Sequence, residues 1–138
     1  VVVIVILGIL AVTAAPRFLN LQDDARTSAV QGLKGAINGA AGIVYGKSAI
    51  AGVETAVSSS LDVGTGTDIT VVFGYPEATS AALTQVVSGL TSDWTLVSEV
   101  SSGVGYGFSS SNTDCHLTYE AAASSSAEPV ITILNCND

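Results

Sequence analysis

The stretch that decides the fold is Val1-Val-Val-Ile-Val-Ile-Leu-Gly-Ile-Leu-Ala-Val-Thr-Ala-Ala15, followed at once by Pro16-Arg17. It carries no charge and one hydroxyl, that of Thr13. As an α-helix it would reach about 22 Å, against about 30 Å for the hydrocarbon core of a bilayer. Read alone it is a short hydrophobic peg, and the core of a signal peptide is the competing reading. Ala14-Ala15-Pro16 is a poor cleavage site, because proline follows the small residues directly. What the peg inserts into is the central question.

Beyond Pro16 the helical pattern continues. At 100° per residue, Arg26, Val30, Leu33, Ile37 and Val44 share one arc with Leu19, and Thr27, Gln31, Lys34, Asn38 and Tyr45 share another. That spacing predicts an amphipathic helix over 17–46. Gly32, Gly35, Gly39, Gly42 and Gly46 fall together with Ser28, roughly opposite the bulky arc. Glycine costs about 1 kcal/mol per residue inside a helix. A glycine stripe opposite an apolar one is the pattern of a surface meant for close packing. Pro16 removes a backbone hydrogen bond and predicts a kink or opening there, and Gly8 is a second weak point.

Residues 47–67, rich in Ser, Thr and Gly, read as an irregular connection. Asp68–Tyr75 reads as a strand ended by Pro76, and Thr79–Leu90 as a short helix. Strands are predicted at Trp94–Val97, Gly103–Phe108, Cys115–Tyr119 and Val130–Cys136. If Cys115, Leu117 and Tyr119 face inward, then His116, Thr118 and Glu120 face out. The expected fold class is α+β: a peg over 1–16, an amphipathic helix over 17–46, and an antiparallel sheet body over 47–138 packed on that helix.

All four cations, Arg17, Arg26, Lys34 and Lys47, precede residue 48, and every acid except Asp23 and Asp24 follows it. A body that acidic is repelled by phosphate backbones, which disfavours nucleic-acid binding through it. Charged residues make up 12% of the chain, against about 25% in ordinary domains, so the acids serve mainly to keep the body soluble. Cys115 and Cys136 could be buried thiols, part of a metal site or a disulfide; with one histidine and no CxxC pair, zinc is disfavoured. A disulfide would point to an oxidising compartment.

Nothing in the chain has the form of a catalyst. The one histidine, His116, reads as a surface residue, and the acids form no close pair. Asp62, Asp68 and Asp114 sit in turn-like stretches without the spacing of a calcium loop. Gly64-Thr-Gly-Thr67 lacks the spacing of a phosphate loop. Ser58–Ser60, Ser109–Ser111 and Ser124–Ser126 read as flexible polar loops or O-glycosylation sites. No cofactor is expected.

A hydrophobic helix with Gly8 near its middle and Pro16 at its end, an amphipathic continuation, a β-sheet body and a C-terminal cysteine pair together resemble the type IV pilins. The likeness runs the length of the chain, and Ala15-Pro-Arg-Phe-Leu-Asn-Leu-Gln-Asp-Asp-Ala-Arg26 carries it most specifically, toward the type IVa class. The resemblance implies a Cys115–Cys136 disulfide bounding the 115–136 region. It implies a filament core packed by Val1, Val2, Val3, Ile4, Val5, Ile6, Leu7, Ile9, Leu10 and Val12. Gly8 and Pro16 then bound a segment that unwinds on assembly, and Gly32, Gly35, Gly39 and Gly42 form a close-packing stripe.

The implied partners are further copies of the chain in a helical polymer, the inner membrane before assembly, the inner-membrane pilus assembly machinery, and carbohydrate on host or abiotic surfaces. The implied end point is an extracellular pilus used in attachment and biofilm formation, and as a phage receptor. Family members begin at a methylated Phe with Glu at the fifth position, and neither is present at this start. Aligning Gly8 and Pro16 implies about six further residues in front, which would lengthen the peg to about 31 Å, enough to span a bilayer. Two other readings use the same features: a type II secretion pseudopilin, and a monomeric membrane-anchored module that binds sugars.

Overall fold

The computed structural model describes residues 1–136, the side chains of 11–22 excepted. Helix α1 spans Val2–Ala51. The expected kink at Pro16 and the packing role of Val12 lie outside the described residues. From residue 23 onward the arc read from the sequence is the buried one: Val30, Leu33, Ile37, Ala41, Val44 and Ser48 are buried, while Arg26 on the same arc is exposed.

The helix ends five residues later than its pattern predicts, and the reason is local. Gly52 takes the left-handed conformation (φ 75°). Its N–H donates to the Ala49 carbonyl and the Val53 N–H to that of Ser48, the paired bonds of a Schellman stop. The last turn is also pinned, because the buried Ser48 hydroxyl donates to the Gly74 carbonyl at 2.9 Å. Residues 47–51 of the expected connection are therefore helix.

The body is built from two antiparallel sheets, where the sequence suggested one. Strands β1 (Ser59–Leu61), β2 (Ile69–Val72) and β3 (Tyr75–Pro76) form the first, in that order. The strand expected at Asp68–Tyr75 is broken by a two-residue hairpin: Val72 pairs with Tyr75, and Phe73 (φ 49°) and Gly74 (φ 86°) both take positive φ, as a type I′ turn requires. At Gly74 a Cβ would also stand 2.8 Å from the Tyr45 ring, so glycine is required twice over.

Helix α2 (Ser80–Val86) opens with Thr79 accepting from the Ala82 N–H at 3.2 Å. Gly89 at φ 74° separates it from the single turn α3 (Leu90–Asp93), so the helix expected over Thr79–Leu90 is two. The second sheet follows as a meander of β4 (Thr95–Val97), β5 (Val104–Gly107), β6 (His116–Glu120) and β7 (Val130–Leu134).

Two apolar cores result. Val30, Leu33 and Ile37 of α1 pack with Leu83, Val87, Leu90 and the inner face of the four-stranded sheet, including Tyr106, Leu117 and Tyr119. Val44 packs with Leu61, Ile69, Val71 and Ala82. Val86 lies against both. The Tyr119 hydroxyl crosses between the sheets, donating to the Pro76 carbonyl at 2.6 Å, whereas the buried Tyr106 hydroxyl has no partner among the described residues.

These two tyrosines give a paired prediction. Tyr119→Phe should cost about 1–3 kcal/mol, the usual loss when a buried carbonyl is orphaned. Tyr106→Phe should be neutral or stabilising, because it removes an unsatisfied hydroxyl. Urea unfolding of both variants measures the difference; equal losses would contradict the assignment. Burial raises both phenols above the ordinary tyrosine range. The unfolded chain therefore releases these protons first. Their stabilisation is complete below the unfolded value of about 10 and is lost as pH rises above it.

Candidate functional site: the unpartnered faces of the long helix

In the first ten residues of the chain every large side chain is exposed, within the helix from Ile4 at 74% to Ile6 at 51%. Val1, Val2, Val3, Ile4, Val5, Ile6, Leu7, Ile9 and Leu10 form one uninterrupted apolar surface. Each such side chain left in water forgoes about 1.5–3 kcal/mol of transfer free energy. Monomeric soluble proteins rarely show a patch of this extent. Gly8 adds no side chain to it, and a Cβ there would meet nothing within 4 Å. Among the described residues no helix is long and apolar enough to cross a membrane; the side chains of 11–22, the first five of which continue the uncharged run in sequence, are not among them.

Further along, the glycine stripe faces away from the body. Gly32, Gly35, Gly39, Gly42 and Gly46 are exposed, and a Cβ added at any of them would meet nothing within 4 Å. Ile43 (68% exposed) and Ile50 (90% exposed) lie on the same side of the helix. Among the described residues, none fills the space that these glycines open. The helix thus has one face spent on its own core and another with no intramolecular use.

At the other end of the body, Cys115 and Cys136 are bonded, with their Cα atoms 4.2 Å apart. The bond joins the start of β6 to the residue two past β7. It sits beside Asp23, Arg26 and Thr27 of α1 across a shallow cleft of about 150 Å³. Arg26 lies 5.7 Å from the centroid of the Phe108 ring, and Phe108 is tilted against Trp94. The disulfide therefore closes the sheet next to the point where the helix enters the body.

The remaining candidates are used locally. Asp62 accepts from the Gly64 N–H at 2.8 Å, Asp68 from the Ser60 hydroxyl and Asp114 from the Ser109 hydroxyl. Among the described residues, no three His, Cys, Asp or Glu side chains gather as a metal site would require. Ser58, Ser60, Ser110, Ser111, Ser125 and Ser126 are exposed.

His116 corrects the sequence reading. It is 2% exposed, and Thr118, also expected to face out, is 7% exposed. The alternation itself is right, but the outer face of this sheet is covered. Gly105 and Gly107 stand opposite Thr118 and His116 in the register, so β5 carries no side chains on that face. The segment 98–103 folds over the space, and a Cβ at Gly105 would be 2.7 Å from Val100 Cγ1. Glycine alternating with Val104 and Tyr106 was the available signal: a strand face left bare so that chain can lie on it.

No family model, curated protein or solved structure matches the chain.

Reducing the disulfide should lower the body's stability by about 3 kcal/mol, the chain-entropy value for a loop of this length. Urea unfolding with and without reductant measures it, and an unchanged midpoint would show that the bond constrains nothing.

Proposed function

We propose that this chain is a structural filament subunit, the major pilin of a type IVa pilus. The observation that carries the reading is the pair of exposed faces on α1: an apolar peg over the first ten residues and an open glycine stripe with Ile43 and Ile50. A bilayer can cover the peg before assembly, and the pegs of neighbouring copies can cover it afterwards, with no change in its chemistry. The glycine stripe lets a neighbour's backbone approach closely along the same helix. The body, closed by its disulfide and acidic outside, forms the filament's outer surface.

Val1–Ala41, with its Ala15–Arg26 segment, resembles the major pilin of mannose-sensitive haemagglutinin pili. We therefore place this filament in that class: retractable, extracellular, assembled by an inner-membrane machine, and used for surface attachment, haemagglutination and biofilm formation. Cell-surface or abiotic carbohydrate is the proposed ligand of the assembled fibre, and phage attachment is a secondary use. The proposed role needs no catalytic residue, metal or cofactor. In the filament, Gly8 and Pro16 bound the stretch where helical hydrogen bonding gives way.

Replacing Leu7 and Ile9 together with Asp should abolish surface filaments while leaving the body folded, because neither residue belongs to the cores described above. Electron microscopy of sheared cell-surface material reads the first outcome and circular dichroism of purified chain the second. Normal filaments on that mutant would end the proposal.

A further inference from the structure

The segment 98–103 does more than cover the outer face of the four-stranded sheet; it encloses a pocket of about 240 Å³. The floor is His116 and Thr118, the roof Glu99, Val100 and Ser101, and the walls Asn112 and Leu134. The floor residues are 2% and 7% exposed. The His116 Nδ1 donates to the Asp114 carbonyl at 2.7 Å, which leaves Nε2 of the neutral ring as an acceptor. Neither Nε2 nor the Thr118 hydroxyl has a hydrogen-bond partner among the described residues, and neither is a fully enclosed orphan.

The roof is held in place. Glu99 takes φ 56°, unusual for a residue with a side chain. Its carbonyl accepts from Asn112 Nδ2 at 2.9 Å, the Asn112 carbonyl accepts from Asn135 Nδ2 at 2.9 Å, and the Ser98 N–H donates to the Ser110 carbonyl at 2.9 Å. Such a chain of bonds fixes the pocket's shape before anything enters it.

The lining is more apolar than polar, and its few polar groups include several acceptors. Glu99 supplies a carboxylate, Asn112 has committed one of its two N–H donors and keeps its oxygen as an acceptor, and His116 offers a lone pair. Ser101 and Thr118 hydroxyls serve either role. No Lys or Arg lines the pocket, while Val100 and Leu134 give it apolar flanks. The complement is a positively charged group with several N–H donors on a short alkyl stem.

We propose that this pocket binds a small organic cation, an alkylammonium or alkylguanidinium head. The site is independent of the filament reading and would stand if that reading fell. The same chemistry could arrive as a free amine or as Lys34 or Lys47 of a second copy.

The test is amide NMR of the full chain in detergent micelles, titrated with butylammonium and butylguanidinium, with butanol and butyrate as neutral and anionic controls. Saturable shifts at His116 and Thr118 are expected with the cations alone. Glu99→Gln should weaken binding about tenfold, the loss of one charge-assisted bond, whereas the remote Asp62→Asn should leave it unchanged. Shifts at the same amides that follow protein concentration, and vanish in Lys34→Gln with Lys47→Gln, identify a second copy as the source; concentration independence identifies a free amine. No saturable shift, equal binding of butanol or butyrate, unweakened binding by Glu99→Gln, or equal loss in Asp62→Asn each overturns the proposal.

Discussion

The body depends on one buried stripe, Val30, Leu33, Ile37, Ala41, Val44 and Ser48, running along a single helix. The two sheets share no strand pairing. Each instead packs its own core against a different stretch of that stripe, the four-stranded sheet on Val30–Ile37 and the three-stranded sheet near Val44. Val86 between the cores and the Tyr119–Pro76 bond tie the sheets to each other, and the Ser48–Gly74 bond ties the three-stranded sheet to the helix end. Apolar burial along a rigid rod is non-directional. The polar ties supply the direction, fixing where along the rod each sheet sits.

That arrangement explains a helix with two contrasting faces. Residues at i, i+3, i+4 and i+7 fill one side with branched apolar groups, so the opposite side could have been lysine and glutamate at no cost to the core. It is glycine instead, at about 1 kcal/mol each in helix propensity. Within the monomer nothing compensates that cost, since a side chain at any of these positions would meet open space. In the proposed filament, the neighbouring copies supply that compensation, for the stripe and for the exposed peg alike.

Much of this was legible in the sequence because it rests on period. The 3.6-residue arc from Val30 to Val44 is buried as its spacing predicts, and the strands of the second sheet fall within a residue or two of their apolar runs. The misreadings occurred where glycine acts through backbone geometry and carries no periodic signal. Gly52, not Gly46, stops the helix, because Gly52 alone of the two is left-handed and Ser48 still belongs to the buried arc. Phe73–Gly74 turns a run that looks like uninterrupted strand. Gly105 and Gly107 clear the space into which 98–103 folds, which buries His116 and Thr118 although their parity points outward. Parity says which face a side chain takes; whether that face is covered is a tertiary fact.

The division of labour along α1 follows from where its stability comes from. From Val30 onward the helix is held by two cores and a Schellman stop, so its body end is fixed whatever happens at the peg. The first ten residues make no contact that the body needs, and their helical state rests on backbone bonds and propensity alone. Valine and isoleucine are only moderate helix formers, and Gly8 is poorer still. An element held so weakly from within can change surroundings without unfolding the body. Under the proposed role, the feature that looks costly in an isolated monomer is the one that would let a single chain serve two environments in turn, with the acidic, disulfide-closed body unchanged in both.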